Sequence, residues 1–159
     1  MGTAAHRPDL LRELVTEVAA LPVAVLVAVG PRVDPASLGV RPAHVQVESR
    51  VDQAKVLGGC SAVVSHGGSG TFLGALARGL PQLCVPLGAD QFRNAEAGVR
   101  AGAALALRPE EVSLDAVRAA GARLLGEATI REAAQHLASE IAGMPSPEDV
   151  VQVLEERFA

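Results

Sequence analysis

The stretch His66-Gly67-Gly68-Ser69-Gly70-Thr71 has the residue types and spacing to hold an anion. It follows an apolar run, Ala62-Val63-Val64-Ser65, and precedes Phe72-Leu73-Gly74-Ala75-Leu76-Ala77, so it reads as the turn between a buried strand and a helix. Glycines let the backbone come close to a ligand, and the first N–H groups of a helix point at whatever sits there. The helix dipole adds partial positive charge without a lysine or arginine. Ser69 and Thr71 supply hydroxyl donors, and His66 can donate a ring proton or become cationic beside phosphate. A second group, Pro86-Leu87-Gly88-Ala89-Asp90-Gln91, follows the next strand and opens on the same carboxyl edge, where ligands of open α/β sheets bind. Asp90 and Gln91 offer acceptors and donors suited to neighbouring hydroxyls of a sugar. Asp90 is equally placed to cap the helix that starts at Gln91.

Other glycine motifs fit less well. A dinucleotide fingerprint built on Gly68 and Gly70 needs a third glycine where Leu73 stands, and Gly74 comes one place late. A P-loop needs Gly-Lys-Ser/Thr, which the chain lacks. A nucleophile elbow centred on Ser69 has Gly67 on one side but Thr71 on the other. A plain glycine-rich turn with no ligand is the remaining alternative.

Apolar runs of strand length alternate with amphipathic segments of helix length, and these elements must position both groups. Pro8 and Asp9 suit the first turn of a helix to about Leu21, with Leu10, Leu11, Leu14, Val15 and Val18 on one face. Val23 to Val29 reads as a strand covered on both faces, followed by a second strand at His44 to Val47. A short helix over Gln53 to Leu57 leads to a strand at Ala62 to Ser65, and the glycine turn to a helix at about Gly70 to Arg78. Leu83 to Val85 is the next strand, Gln91 to Arg100 a helix, and Ala104 to Leu107 the last strand. Beyond it lie helices alone. Ser113 caps the first, with Leu114, Val117, Leu124 and Leu125 along one face; Thr129 with Glu132 fits a capping box for the second; Ser146-Pro147-Glu148-Asp149 opens the third. The fold class is α/β: a Rossmann-like parallel sheet with helices on both faces and a helical C-terminal segment.

Composition narrows the function classes. At 159 residues the chain suits one domain, 1–159, and with 49% apolar residues disorder is not expected. Phe72, Phe92 and Phe158 are the only aromatics and the net charge is −4, which argues against a nucleic-acid platform of stacked rings on a basic groove. Cys60 and Cys84 lack a CxxC neighbour and read as buried, reduced thiols. Pro, Gly and charges interrupt every apolar run, so no membrane span is expected, and with no signal pattern the expectation is a cytoplasmic protein.

The stretches Cys60 to Thr71, Gly79-Leu80-Pro81-Gln82-Leu83, Pro86 to Ala95 and Met144-Pro145-Ser146-Pro147 resemble, in order, the donor-site signature of inverting GT-B glycosyltransferases. The resemblance is closest to actinomycete enzymes that decorate antibiotics and other natural products. It implies that His66, Gly68, Ser69, Gly70 and Thr71 hold the diphosphate of a nucleotide-sugar, UDP- or dTDP-linked. Asp90 and Gln91 would then bind the transferred sugar, Val51 and Gln53 frame the base and ribose, and Thr3 approach the phosphates. The family's usual aromatic-Val-Pro-Gln stands here as Arg50-Val51-Asp52-Gln53, where Arg50 either stacks on the base or is solvated.

The resemblance also implies partners. Family members are roughly twice as long; their first half binds the acceptor and carries the general base, so no catalytic residue is assigned to this chain. His6, His44 and His136 match no motif and are expected at the surface. A first strand, central in the order 3-2-1-4-5-6, would precede Gly2-Thr3. Without it the strands at Val23 and Ala62 would not pair, leaving an interrupted sheet open to a partner or to a second copy. No cofactor besides the donor and no metal is expected, since the chain has no Asp-x-Asp motif. The activity implied is transfer of a sugar to a small natural-product acceptor. The alternatives are a non-catalytic donor-binding subunit of a two-chain enzyme and, least favoured, a nucleotide-sugar epimerase.

Overall fold

A computed structural model describes residues 8–39 and 41–158. Gly2, Thr3 and His6 lie outside the described residues.

Helix α1 (Pro8–Ala19) precedes two strands, β1 (Val25–Ala28) and β2 (Val45–Glu48), with a 3-10 turn at Pro35–Leu38 between them. Then come α2 (Gln53–Leu57), β3 (Val63–Ser65), α3 (Ser69–Leu76), β4 (Gln82–Cys84), α4 (Gln91–Arg100) and β5 (Ala104–Ala106). A 3-10 turn at Pro109–Glu111 leads into α5 (Leu114–Gly126), α6 (Ala128–Ala142) and α7 (Pro147–Phe158). All pairings are parallel, as the strand–helix alternation requires.

The strands form two sheets, β1-β2 and β3-β4-β5, and β1 does not pair with β3. The expectation that Val23 to Val29 is covered on both faces needs correction. Only Val25–Ala28 is strand, and Leu26 is 41% exposed because nothing among the described residues lies along that edge. By contrast Leu83, in the middle of the three-stranded sheet, is 1% exposed.

Helices complete the layers. On one side α1 and α5 pack on each other, with Leu10 and Val117 in one cluster with Val85 and Val112. On the other, Phe72 and Leu76 of α3 meet Cys84, Ala95, Ala104 and Ala134. Gly98 permits that contact: a Cβ there would lie 2.9 Å from the Ala104 Cβ and 3.0 Å from the Phe72 ring. Each large side chain buried this way contributes about 1.5–3 kcal/mol. Burial pushes the Cys84 thiol up to about 11, so it packs as a small hydrophobe.

The C-terminal helices follow their sequence signals in part. Ser113 accepts from the Ala116 N–H at 3.3 Å, and Ser146 and Asp149 cap each other's backbone at 3.1 and 2.8 Å. Leu114 is exposed; Val117, Ala120, Gly121 and Leu124 form the buried face instead. The Thr129–Glu132 capping box does not form. Helix α6 begins at Ala128 with Glu127 as its cap residue, leaving Thr129 inside the first turn. The α5–α6 junction is too short for a separate cap there, and the Glu127 carboxylate is taken by Arg123 at 2.7 Å.

Candidate functional site

Strand β3 delivers the chain to the turn, and the turn's conformation depends on two glycines. Gly67 is buried with φ +77°, in the left-handed region where a side chain is strained. Its N–H donates to Ser65 Oγ at 3.0 Å. Gly68 is the N-cap of α3 and makes no side-chain cap, and the first intrahelical bond runs from Phe72 N to Gly68 O at 2.9 Å. The helix thus starts at Ser69, one residue earlier than expected. The N–H groups of Gly68, Ser69, Gly70 and Thr71 are therefore the four that an α-helix leaves without a helical acceptor. A Cβ at Gly70 would meet nothing within 4 Å, so the space in front of these donors is open.

His66 is 9% exposed, and its Nδ1 is buried with no hydrogen-bond partner. Burial lowers its pKa below the usual imidazole value, with the Asp90 carboxylate acting the other way, so the ring is neutral at pH 7. The ring lies over the turn because residue 68 has no side chain: a Cβ there would come 2.5 Å from Nε2.

The second group faces the first across the parallel β3–β4 pair. The Ser69 hydroxyl donates to Asp90 Oδ2 at 2.5 Å. Asp90 caps no helix N–H with its side chain, so its carboxylate is turned toward the glycine turn instead. The Ser69 hydrogen bond is the main reason that the Asp90 carboxyl sits below its ordinary range. Asn94, to which sequence analysis gave no role, joins the two groups. Its Nδ2 lies 2.9 Å from Gly67 O, 3.2 Å from Ser69 Oγ and 3.1 Å from Asp90 Oδ2. The signal for it is helical spacing, since Asp90 and Asn94 are four residues apart and share a face.

Gln91 is 2% exposed, and its Oε1 accepts from the N–H groups of Leu87 and Gly88 at 2.8 and 3.2 Å. Its carbonyl end shapes the Pro86–Asp90 loop, which includes Ala89 at φ +54°. Arg50, Val51 and Gln53 lie after the carboxyl end of β2, Gln53 at the start of α2, which packs against α3. Arg50 and Gln53 are exposed and Val51 is half-buried. Asp52 is the N-cap of α2, its carboxylate accepting from Lys55 N at 3.4 Å.

His44 and His136 are exposed; His44 Nε2 lies 2.9 Å from Ala19 O and His136 pairs with Glu140 at 3.2 Å. Among the described residues no cluster of three His, Cys, Asp or Glu side chains is placed to hold a metal ion. No helix among them is long and apolar enough to cross a membrane. A cavity of about 840 Å³ lies beside the turn, between β1 and β3, and reaches Ser65 and His66 but not Asp90.

The chain matches, over residues 12–157, the family described as erythromycin biosynthesis protein CIII-like, C-terminal domain. It is 43% identical over 122 residues to the elloramycin glycosyltransferase ElmGT of Streptomyces olivaceus, covering 76% of this chain and 30% of that protein. It is 36% identical over 159 residues to the L-demethylnoviosyl transferase of Streptomyces niveus, covering 97% of this chain and 41% of the relative. Among solved structures, glycosyltransferase VinC in complex with dTDP superposes with a TM-score of 0.83 at 31% identity, covering 92% of this chain and 37% of that one. The spinosyn rhamnosyltransferase SpnG does so with 0.87 at 34% identity, covering 95% and 41%. The chain thus spans less than half the length of each of these relatives.

Proposed function

The chain belongs to the EryCIII-like C-terminal domain family of GT-B glycosyltransferases, and from that premise we propose that it binds the nucleotide-sugar donor for glycosyl transfer. The observation that carries this reading is the juxtaposition of the four N–H groups at Gly68–Thr71, which lack a helical acceptor, with the Ser69–Asp90–Asn94 cluster, whose Asp90 carboxylate also accepts from the Ser69 N–H. A diphosphate fits the donors and the helix dipole, with His66 adding a ring N–H. Asp90, turned to the same space, accepts from sugar hydroxyls once Ser69 releases it. Gln91 supports that site by holding the loop. Arg50, Val51 and Gln53 frame the base, and dTDP is the first candidate because VinC is described with it; UDP is the second.

The transfer itself is an inverting displacement. The acceptor oxygen bonds to the anomeric carbon as the bond to the diphosphate oxygen breaks, and the leaving nucleotide keeps the electron pair. Helix donors aimed at that developing charge lower the barrier without a metal. The acceptor hydroxyl's proton goes to a general base supplied outside this chain, and the acceptor is a small natural product. A second reading, a non-catalytic donor-binding subunit of a two-chain enzyme, is favoured by the positions of His44 and His136, both tied up at the surface. Transfer that requires an added acceptor-binding chain would support it.

A thermal-shift panel of nucleoside diphosphates and their sugars tests the donor reading. A ligand at 100 times its Kd adds about 2.7 kcal/mol. For a domain of this size that raises Tm by about 5–11 °C. No shift with any nucleotide would sink the reading.

A further inference from the structure

The Asp90 carboxylate is exposed, so hydrogen bonds rather than packing aim it. Ser69 donates to it from its hydroxyl at 2.5 Å and from its N–H, and Asn94 donates from Nδ2 at 3.1 Å. Asn94 is itself fixed on two sides. Its own N–H closes the first turn of α4 onto Asp90 O at 3.0 Å, and its Nδ2 also donates to Gly67 O at 2.9 Å. Gly67 lets the turn and helix come this close, since a Cβ there would lie 3.3 Å from Gln91 O, where α4 begins. A carbonyl and a carboxylate only accept, so the amide nitrogen of Asn94, not its oxygen, must face both. That nitrogen carries two hydrogens and has three acceptors within reach, the third being Ser69 Oγ at 3.2 Å. One hydrogen serves Gly67, and the other is shared between Ser69 and Asp90.

We propose that Asn94 is the positioning residue that keeps Asp90 aimed at the sugar when the donor's diphosphate takes Ser69, an inference that rests on the donor reading above. A diphosphate at the N-terminus of α3 draws the Ser69 hydroxyl and N–H to its own oxygens. Both Ser69 ties to Asp90 are then lost. The shared Asn94 hydrogen passes wholly to the carboxylate, and Asn94 becomes the side chain that holds it. Its other hydrogen stays on Gly67 O, so the carboxylate keeps a fixed offset from the turn that carries the phosphates. A free nucleoside diphosphate asks nothing of Asp90, and its affinity is insensitive to this tie. A nucleotide-sugar needs the carboxylate in place, and its affinity is not.

The test is calorimetric titration of dTDP and of dTDP-glucose into the wild type, Asn94→Ala, Asn94→Asp, Asp90→Ala and the Asn94→Ala/Asp90→Ala double variant. Asn94→Ala is expected to weaken dTDP-glucose about five- to tenfold more than dTDP. Asn94→Asp keeps the shape of the side chain but sets an acceptor against two acceptors, so its sugar-specific loss should be at least as large. A role in shape alone would leave that variant unaffected. With Asp90 already removed, Asn94→Ala should cost dTDP-glucose no more than it costs dTDP. Binding of dTDP to each variant reports that the glycine turn is folded. Equal losses for the two ligands in Asn94→Ala overturn the proposal and leave the donor reading standing. So does a sugar-specific loss that persists without Asp90, because Asn94 would then act on the sugar by itself. Failure of the wild type to bind dTDP overturns the donor reading and the proposal together.

Discussion

Gly68→Ala puts a methyl group 2.5 Å from His66 Nε2, 3.1 Å from Cε1 and 3.3 Å from Cδ2. The backbone at residue 68, φ −64° and ψ 140°, accepts alanine without strain, so the effect falls on the ring. To regain ordinary contact the imidazole must retreat by about 0.9 Å, which takes a hydrogen bond of about 2.9 Å out of range. A hydrogen bond to a charged group contributes about 1.5–3 kcal/mol, so dTDP affinity is expected to fall roughly 13- to 160-fold. Overpacking beside a buried ring costs about 1–3 kcal/mol of stability, and Tm should drop by roughly 2–12 °C. Calorimetric titration of dTDP into Gly68→Ala, His66→Ala and the double variant separates mechanism from general damage. If the alanine acts by moving the ring, the double variant binds no worse than His66→Ala alone. Additive losses would refute the reasoning, because Gly68 would then act independently of His66.

Other outcomes follow from single contacts. Gly98→Ala brings a Cβ to 2.9 Å from Ala104 and 3.0 Å from Phe72, so urea unfolding should show a loss of about 1–3 kcal/mol with dTDP affinity of the folded protein unchanged. Ser69→Ala removes the main cause of the low Asp90 pKa, and a carboxyl-carbon NMR titration should show it rising toward the ordinary 3.8. A lowered folded pKa adds stability above the unfolded value and loses it as pH falls through the folded one, so this variant's deficit against the wild type should be full at neutral pH and vanish in acid. Asp90→Ala should weaken a dTDP-sugar more than dTDP itself; equal losses in calorimetry would remove Asp90 from the sugar subsite.

The parts of the fold written in local pattern were legible. Apolar runs at Val63 and Leu83 marked strands, and Ser113 and Ser146 marked helix starts, because each signal acts within a few residues. Thr129 carried a similar local signal and failed, since the chain passes from α5 to α6 at Glu127 with no turn to cap. The interrupted sheet followed from strand order, but not its consequence for Leu26, whose exposure depends on what lies along that edge. The glycine turn was found from residue type alone. Asn94 was not assigned a part, because its bonds to Gly67 and Ser69 span 27 and 25 residues. What the sequence did not show for Gln91 is that its Oε1 accepts from the Leu87 and Gly88 N–H groups and so holds the loop, because those contacts depend on how the loop folds back.

The glycine turn as a diphosphate site is the claim on which the donor reading depends, and titrating dTDP into the wild type and His66→Ala tests it most directly. Wild-type binding with a loss of about tenfold or more in the variant is the expected result. Equal affinity for both proteins, or no heat of binding in either, would contradict it.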